Sequence, residues 1–255
     1  MSRFIDLNAD VGEGFGAWAM GADEALLAHV TSANVACGFH AGDPSVIDRT
    51  VALAARAGVA VGAHPGFHDL RGFGRREMHV PAAEVEADVL YQVGALAAFA
   101  ATHGTGLRHV KPHGALYNQA ADDGELAAAI ARGVARVSRG LVLVGLAGSE
   151  VMRRAAETAG LRFAAEAFVD RAYDARGRLV PRSRPGAVIS DPGAAAEAAL
   201  RLACDGAVRT VEGGELAVEA DTLCLHGDNP NALLLARAVR EALERAGVSV
   251  RALGR

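Results

Sequence analysis

Residues 4–14, FIDLNADVGEG, form the stretch that decides the fold prediction. Apolar and polar residues alternate in it with a period of two, which predicts a β-strand with one apolar face and one polar face. The polar face carries Asp6, Asn8 and Asp10. Burying three polar side chains costs several kcal/mol unless each is hydrogen-bonded, so such a face usually lines a site. The stretch therefore predicts a strand that carries site residues.

Six later apolar runs follow, and polar residues accumulate at the carboxyl ends of most of them. The runs are residues 32–40, 59–65, 109–113, 141–146, 163–170 and 222–228. Segments with helical signals separate them. Asp43 and Pro44, for example, suit the N-cap and the first turn of a helix over 44–57. Repeated strand–helix units with short connections require parallel strands and right-handed crossovers.

Two architectures fit seven such units: a closed (β/α)7-type barrel and an open, doubly wound sheet. An open sheet binds ligands at one switch point, whereas a barrel surrounds one mouth with loops from every strand. Polar clusters end six of the seven strands, so we predict the barrel, with residues 1–255 as a single domain. Further elements are predicted late in the chain: an irregular segment (171–191), a helix (192–206), a hairpin (208–219) and a short final strand (248–253).

The amino-acid composition narrows the classes of protein to which this chain can belong. The 255 residues are 51% apolar and 22% charged, which suits one substantial core. A net charge of −4 without a basic run argues against nucleic acid or an anionic membrane as a partner. Three cysteines without C-x-x-C spacing fit a reducing compartment. No apolar stretch reaches membrane-spanning length and the first residues form a strand rather than a signal peptide, so we expect a cytoplasmic protein.

Six segments, in order along the chain, resemble the LamB/YcsF family, which supplies one component of prokaryotic 5-oxoprolinase. They are DLNADVGEGFG (6–16), SANVACGFHAGDP (32–44), GAHPGFHDLRGFGRR (62–76), HVKPHGALYN (109–118), RAYDARGRLVPRS (171–183) and HGDNPNA (226–232). The resemblance implies a TIM-like barrel related to the glycoside hydrolase and deacetylase barrels. It also implies that ATP hydrolysis drives opening of the 5-oxoproline lactam to L-glutamate, together with partner subunits B and C.

The sequence offers little sign of a nucleotide site. It contains no G-x-x-x-x-G-K-[ST] loop and no G-x-G-x-x-G after a strand. Two glycine-bearing loops could still wrap a phosphate through backbone N–H groups, with an arginine as counter-charge. The candidate phosphate-binding residues are Gly12, Gly14, Arg75 and Arg76. We expect the partners to hold much of the ATP site and this chain to hold the lactam or its phosphorylated form.

Opening a resonance-stabilised lactam needs an activated carbonyl, a positioned water and stabilisation of the oxyanion. Asp10 or Glu13, at the first strand end, is the candidate general base, although either could simply cap the following loop. Lys111 faces inward and needs a carboxylate or a bound phosphate as partner. With His113, a candidate acid or base, these residues form the predicted catalytic set.

Other polar residues at strand ends are candidates for substrate binding. They are Asn8, Asn34, His40, His64, Asp170, Arg171, His226 and Asp228. Each could instead be a hydrogen-bonded structural group or part of a salt bridge that fixes a loop. Imidazoles at neighbouring strand ends also suit a divalent ion, for which Asp10, His40 and His64 are candidate ligands. Whether a metal binds is left open.

Two alternatives to the ATP-dependent lactamase component remain open. The first is a metal-dependent amidase or deacetylase that acts alone, which the histidines and the fold kinship favour. The second is a non-catalytic protein that only presents the lactam to its partners. The sequence is also compatible with a homo-oligomer.

Overall fold

The computed structural model describes residues 4–229 and 231–253 and contains a closed barrel of parallel strands. The strands of the structure, inside and outside the barrel, are β1 (Phe4–Val11), β2 (Ser32–Ala36), β3 (Ala60–His64), β4 (Leu107–Val110), β5 (Val142–Leu146), β6 (Arg162–Phe168), β7 (Ala207–Arg209), β8 (Glu215–Ala217), β9 (Thr222–His226) and β10 (Ser249–Val250). β1 to β6 pair in order, β6 pairs with β9, and β9 pairs with β1 to close the ring. The predicted seven-stranded barrel is confirmed.

Helices between the strands form the outer layer. They are α1 (Asp23–Leu27), α2 (Pro44–Arg56), α3 (Ala82–Thr102), α4 (Gly114–Ala120), α5 (Gly124–Val137), α6 (Glu150–Thr158), α7 (Pro192–Leu200) and α8 (Ala232–Arg245). Asp43 caps α2 as predicted, because its carboxylate accepts the N–H groups of Ser45 and Val46 at 2.8 and 3.2 Å. Within the described ranges, no helix combines the length and the apolar character needed to cross a bilayer.

The later elements agree with the prediction except at some helix boundaries. β7 and β8 form the predicted antiparallel hairpin, and β10 adds a short parallel strand beside β1. A π-helical turn over Arg201–Asp205 continues α7 to the predicted length. The last helix, α8, begins at Ala232, and Pro230 lies outside the described residues.

The sequence did not predict α4, which begins directly after β4. Gly114 makes this turn with a φ of 56°, a conformation that favours glycine. A Cβ atom at this position would collide with the carbonyl oxygen of Gly74. The close approach of these two backbone segments therefore requires glycine at the start of α4.

The two faces of β1 lie in different environments, as the alternation of apolar and polar residues in this strand predicted. Leu7 and Ala9 are fully buried in the apolar layer between strands and helices. Asp6, Asn8 and Asp10 are also buried, but in a hydrogen-bonded polar interior. The Asn8 amide, for instance, donates to the Thr222 hydroxyl at 2.7 Å. The barrel interior is therefore polar and connected, which is what positions the site.

Asp6 lies at the amino-terminal end of this interior and couples folding to pH. Its carboxylate accepts hydrogen bonds from the hydroxyls of Thr31, Ser32 and Thr222 at 2.5–2.7 Å. Burial nevertheless raises the pKa of Asp6 from 3.8 to about 6. The stability that this group contributes is thus complete below its unfolded pKa and is lost as the pH rises through the folded pKa.

Asp6→Asn is expected to remove this pH dependence, because the amide cannot ionise. A shift of about 2 units corresponds to about 3 kcal/mol. The free energy of unfolding of the wild type, relative to the variant, should therefore fall by about 3 kcal/mol between about pH 4 and pH 7. Urea unfolding of both proteins across this range measures the difference. A difference that stays constant with pH would contradict the assignment.

Candidate active site

The carboxyl ends of the barrel strands surround a cavity of about 560 Å³. Its wall includes Asp10, His64, Lys111, His113 and His226, which come from four different strands or the loops that follow them. All five are residues that the strand pattern predicts at strand ends. The barrel therefore brings these predicted site residues to one mouth.

Lys111, the chain's only lysine, lies buried at the base of the cavity. Its ammonium lies 2.9 Å from Asp10 Oδ1, 3.0 Å from Glu166 Oε1 and 2.9 Å from the sulfur of Cys224. Burial alone would lower the pKa of Lys111, but the negative charges around it, Asp10 first, hold the pKa well above its usual value. All three donors of a charged ammonium are thus occupied.

Asp10 is held as an ionised carboxylate. Its Oδ1 atom accepts hydrogen bonds from Lys111 and from the Asn34 amide at 2.9 and 2.8 Å. Its Oδ2 atom lies 3.3 Å from His64 Nε2. Burial would raise the pKa of Asp10, but the charges of His64 and Lys111 hold it well below its usual value. A carboxylate stabilised in this way is a weak base, and the role of Asp10 as general base stays a prediction.

Three buried histidines form a cluster beside Asp10. His64 Nδ1 donates to the carbonyl oxygen of Lys111 at 2.7 Å, and His113 Nε2 donates to that of Phe73 at 2.8 Å. The remaining ring nitrogens, His64 Nε2 and His113 Nδ1, lie 2.9 Å apart. The His40 ring stacks on the His113 ring with 3.7 Å between centroids. The network thus fixes the orientation of two of the three rings.

Glu13 reaches this histidine cluster from the loop after β1. Its Oε1 atom lies 3.5 Å from His40 Nε2 and 3.6 Å from His113 Nδ1. Burial, and then the negative charge of Asp10, raise the pKa of Glu13 well above its usual value. Burial also lowers the pKa values of His40 and His113 well below theirs, so protein groups alone favour neutral forms of all three.

His226 and Asp170 form an oriented pair on another side of the cavity. Asp170 Oδ1 lies 2.9 Å from His226 Nδ1, and Asp170 Oδ2 accepts the backbone N–H of His226 at 2.9 Å. Burial would raise the pKa of Asp170, but His226 holds it below its usual value. Because the carboxylate can only accept, Nδ1 carries the hydrogen and Nε2 of the neutral ring is free to take a proton.

Arginines line the outer part of the cavity. Arg75 lies 2.7 Å and Arg182 3.6 Å from the same carboxylate oxygen of Asp228. Arg171 is buried and donates to the carbonyl oxygens of Val180 and Ala187, so it fixes the irregular segment that the sequence predicted after the sixth strand. Arg178 lines the cavity as well, so several cationic groups surround it.

Comparisons with known proteins identify the family to which this chain belongs. The model of the LamB/YcsF family matches residues 5–255. The chain belongs to the LamB/YcsF family. It is 58% identical over 248 residues to a Thermus thermophilus protein that is named as the A subunit of 5-oxoprolinase, covering 97% of this chain and 99% of that protein.

Two solved structures show the same fold. A lactam utilization protein from Thermus thermophilus overlays with a TM-score of 0.92 at 57% identity, covering 98% of this chain and 100% of that one. An Enterococcus faecalis protein named for cellobiose-phosphate cleavage overlays with a TM-score of 0.55 at 13% identity, covering 98% of this chain and 97% of that one. This second likeness confirms the predicted kinship with other barrels at the level of fold alone.

Three of the predicted substrate-binding residues of this LamB/YcsF chain lie behind the cavity wall. Asn34 and His40 are fully buried, and Asn8 is nearly so. The Asn8 amide donates hydrogen bonds to Thr222 and Glu166. Their contact with substrate stays a prediction, and in this structure their side chains support the cavity wall. Of the remaining five, His64, Arg171 and His226 line the cavity, and Asp170 and Asp228 hold residues that do.

Most of the predicted phosphate-binding residues do not line the cavity. The Gly12 N–H donates to the Asp23 carboxylate at 2.9 Å, and Gly14 packs closely against the backbone of Trp18. Arg76 is bound to Asp69 on the exterior. Only Arg75 of this group lines the cavity. In the first glycine loop, the N–H groups of Gly12 and Gly16 already donate to Asp23 and Asp43, so phosphate binding by this loop stays a prediction.

Sequence reasoning missed two residues at the base of the LamB/YcsF site, Glu166 and Cys224. Both contact the Lys111 ammonium. Strand parity was the available signal, because Glu166 shares an inward parity with Asp170 and Cys224 with His226. Parity shows that a side chain faces inward, but not which group it meets across the barrel.

Proposed function

We propose that the chain is one component of a 5-oxoprolinase and takes part in the ATP-dependent hydrolytic opening of 5-oxo-L-proline to L-glutamate, with ADP and phosphate formed. The observation that carries the proposal is the His226–Asp170 pair, in which Asp170 orients a histidine that lines a cavity together with several arginines. The names of the chain's relatives support the same reaction.

The arrangement suits the chemistry of lactam opening. Phosphorylation of the amide oxygen by ATP makes the ring carbon a better electrophile. Water attack on that carbon needs a base for the water proton, and rupture of the ring C–N bond needs an acid for the nitrogen. His226 Nε2 can take the first proton and deliver it to the second position. A second water then converts the resulting acyl phosphate to glutamate and phosphate.

The arginines would hold the anionic parts of the substrate. Arg75 and Arg182 share Asp228, so a carboxylate or phosphate entering the cavity can replace that partner without leaving either guanidinium unpaired. A cavity of about 560 Å³ has room for the lactam together with a phosphoryl group. This favours binding of the phosphorylated form.

We further propose that subunits B and C form most of the ATP-binding site. They act together with this chain in the cytoplasm. The relatives are named as one lettered component of 5-oxoprolinase, which implies a complex of several different chains. The Gly12 N–H is already taken by Asp23 and neither predicted phosphate-binding glycine lines the cavity, which supports an ATP site built largely by partners.

The test is glutamate formation from 5-oxoproline and ATP by the chain and its two candidate partners, with each component omitted in turn. Glutamate should form at the full rate only in the complete mixture. Full-rate formation by the partners alone would overturn the proposal. Glutamate formed by this chain alone without ATP would instead support a self-sufficient metal-dependent amidase, which the histidine cluster favours as second candidate.

A further inference from the structure

When both rings are neutral, two histidine nitrogens face each other in the buried cluster with no hydrogen to share. Lys111 and Phe73 offer only carbonyl oxygens, so His64 carries its hydrogen on Nδ1 and His113 carries its hydrogen on Nε2. In neutral rings, His64 Nε2 and His113 Nδ1 therefore direct lone pairs at each other across 2.9 Å. Such an arrangement requires a positive charge between the two nitrogens.

Two carboxylate oxygens point at the same place. Glu13 Oε1 is buried, has no hydrogen-bond partner in the described part of the chain, and lies 3.6 Å from His113 Nδ1. Asp10 Oδ2 lies 3.3 Å from His64 Nε2, while Asp10 Oδ1 is already occupied by Lys111 and Asn34. A single proton between the imidazoles would leave the Glu13 oxygen unpartnered, whereas a cation would satisfy both groups.

We propose that Asp10, Glu13, His64 and His113 bind one divalent transition-metal ion, of the class that includes Zn²⁺, Mn²⁺ and Co²⁺. Two imidazoles with two carboxylates form a ligand set that such ions accept. The inference does not rest on the proposed function, because it concerns binding by groups that are already in place.

Three of the six separations among the four ligand atoms lie near those that one ion requires. Ligands at about 2.0–2.2 Å in a tetrahedral arrangement lie about 3.3–3.6 Å from one another. The measured separations are 2.9 Å between the imidazoles, 3.3 Å for Asp10 with His64 and 3.6 Å for Glu13 with His113. Small side-chain movements would complete the geometry.

His40 is assigned a packing role rather than that of a ligand. Its ring is parallel to the His113 ring within 2°, with 3.7 Å between centroids. Ring nitrogens bind metal in the plane of the ring, so two parallel stacked rings cannot both direct a lone pair at one ion. His113 therefore replaces His40 in the ligand set that the sequence suggested.

The groups around the cluster hold the proposed ligands in position. Each ligating imidazole donates its other N–H to a backbone carbonyl, which fixes the tautomer and the ring orientation. Gly74 leaves room for the ring of His113, since a Cβ atom there would lie 2.8 Å from His113 Cδ2. Because Asp10, His64 and His113 also line the cavity, a bound ion would supply Lewis acidity at the substrate site.

Metal binding can be tested without an activity assay. Chelator-treated wild-type chain is titrated with Co²⁺ and Zn²⁺, and uptake is followed by elemental analysis and by the visible spectrum of the Co²⁺ form. We expect one equivalent per chain. His64→Ala and His113→Ala should each weaken binding by at least about 100-fold. His103→Ala, which removes an exposed histidine paired with Asp48, is the matched control and should leave binding unchanged.

X-ray absorption of the metal-loaded wild type tests the ligand set without any variant that could misfold. The proposed site gives imidazole and oxygen scattering with no sulfur shell. A sulfur shell would assign the ion to the neighbouring group of Asp10, Cys224 and His226 and would overturn the proposal. Absence of stoichiometric uptake at micromolar metal, or uptake unaffected by both histidine substitutions in folded variants, would overturn it as well.

Discussion

Lys111→Met is expected to reduce glutamate formation in the complete mixture by at least about three orders of magnitude and to lower the free energy of unfolding by about 3–5 kcal/mol. The ammonium lies 2.9 Å from Asp10 and 3.0 Å from Glu166, both buried. Methionine has a similar length but leaves these carboxylates without their counter-charge. Urea unfolding of the chain and a glutamate assay with the partners measure the two effects.

A double variant separates the loss of stability from the loss of chemistry. Adding Glu166→Gln to Lys111→Met removes one unbalanced charge and should restore part of the stability, whereas Asp10 stays without its ammonium and the activity stays low. Arg154→Met changes an exposed arginine on α6 and should alter neither quantity measurably. Near wild-type activity in the stable double variant would show that Lys111 is only structural.

The fold could be predicted from β1 outward because strand periodicity is a local property. The alternation of Leu7 and Ala9 with Asp6, Asn8 and Asp10 assigns each side chain to a face whatever the strand's neighbours are. Closure of the barrel required a further step, from the repetition of polar strand ends to a shared mouth. That step was correct because the carboxyl ends of parallel strands in a barrel all open on one side.

The partners of the inward-facing residues could not be predicted, because they depend on distances across the barrel. Lys111 meets Glu166 from β6 and Cys224 from β9, both of which are remote from it in sequence. The partners of two adjacent arginines could not be predicted either. Arg75 lines the cavity and pairs with Asp228, whereas Arg76 pairs with the buried Asp69 and does not line it, although nothing in the sequence separates the two.

The pairing of Asp170 with His226 was beyond sequence reasoning for a related reason. Each was placed at a strand end, but the intervening segment includes a helix and a hairpin that could have separated β6 from β9. The two strands are neighbours in the barrel. Their adjacency converts two candidate binding residues into a carboxylate that orients a base.

Asp170→Asn is expected to lower kcat by about two to four orders of magnitude, because it reverses the histidine tautomer. Asp170 accepts two hydrogen bonds from His226, one from its backbone N–H and one from Nδ1. Asparagine has a single acceptor oxygen. If that oxygen keeps the backbone N–H, the amide NH₂ faces Nδ1, which must then be the unprotonated nitrogen. Nε2 would carry the hydrogen and could no longer take a proton from water.

Two measurements separate this mechanism from simple loss of structure. Nitrogen-15 NMR of labelled histidine should show the hydrogen on Nδ1 of His226 in the wild type and on Nε2 in Asp170→Asn. Asp48→Asn makes the same change at the exposed pair of Asp48 and His103 and should leave kcat unchanged. Because Asp170 acts through His226, the double variant with His226→Ala should be no slower than His226→Ala alone. Unchanged kcat in Asp170→Asn, or lost activity with the Nδ1 hydrogen retained, would show that Asp170 does not act by orienting this base.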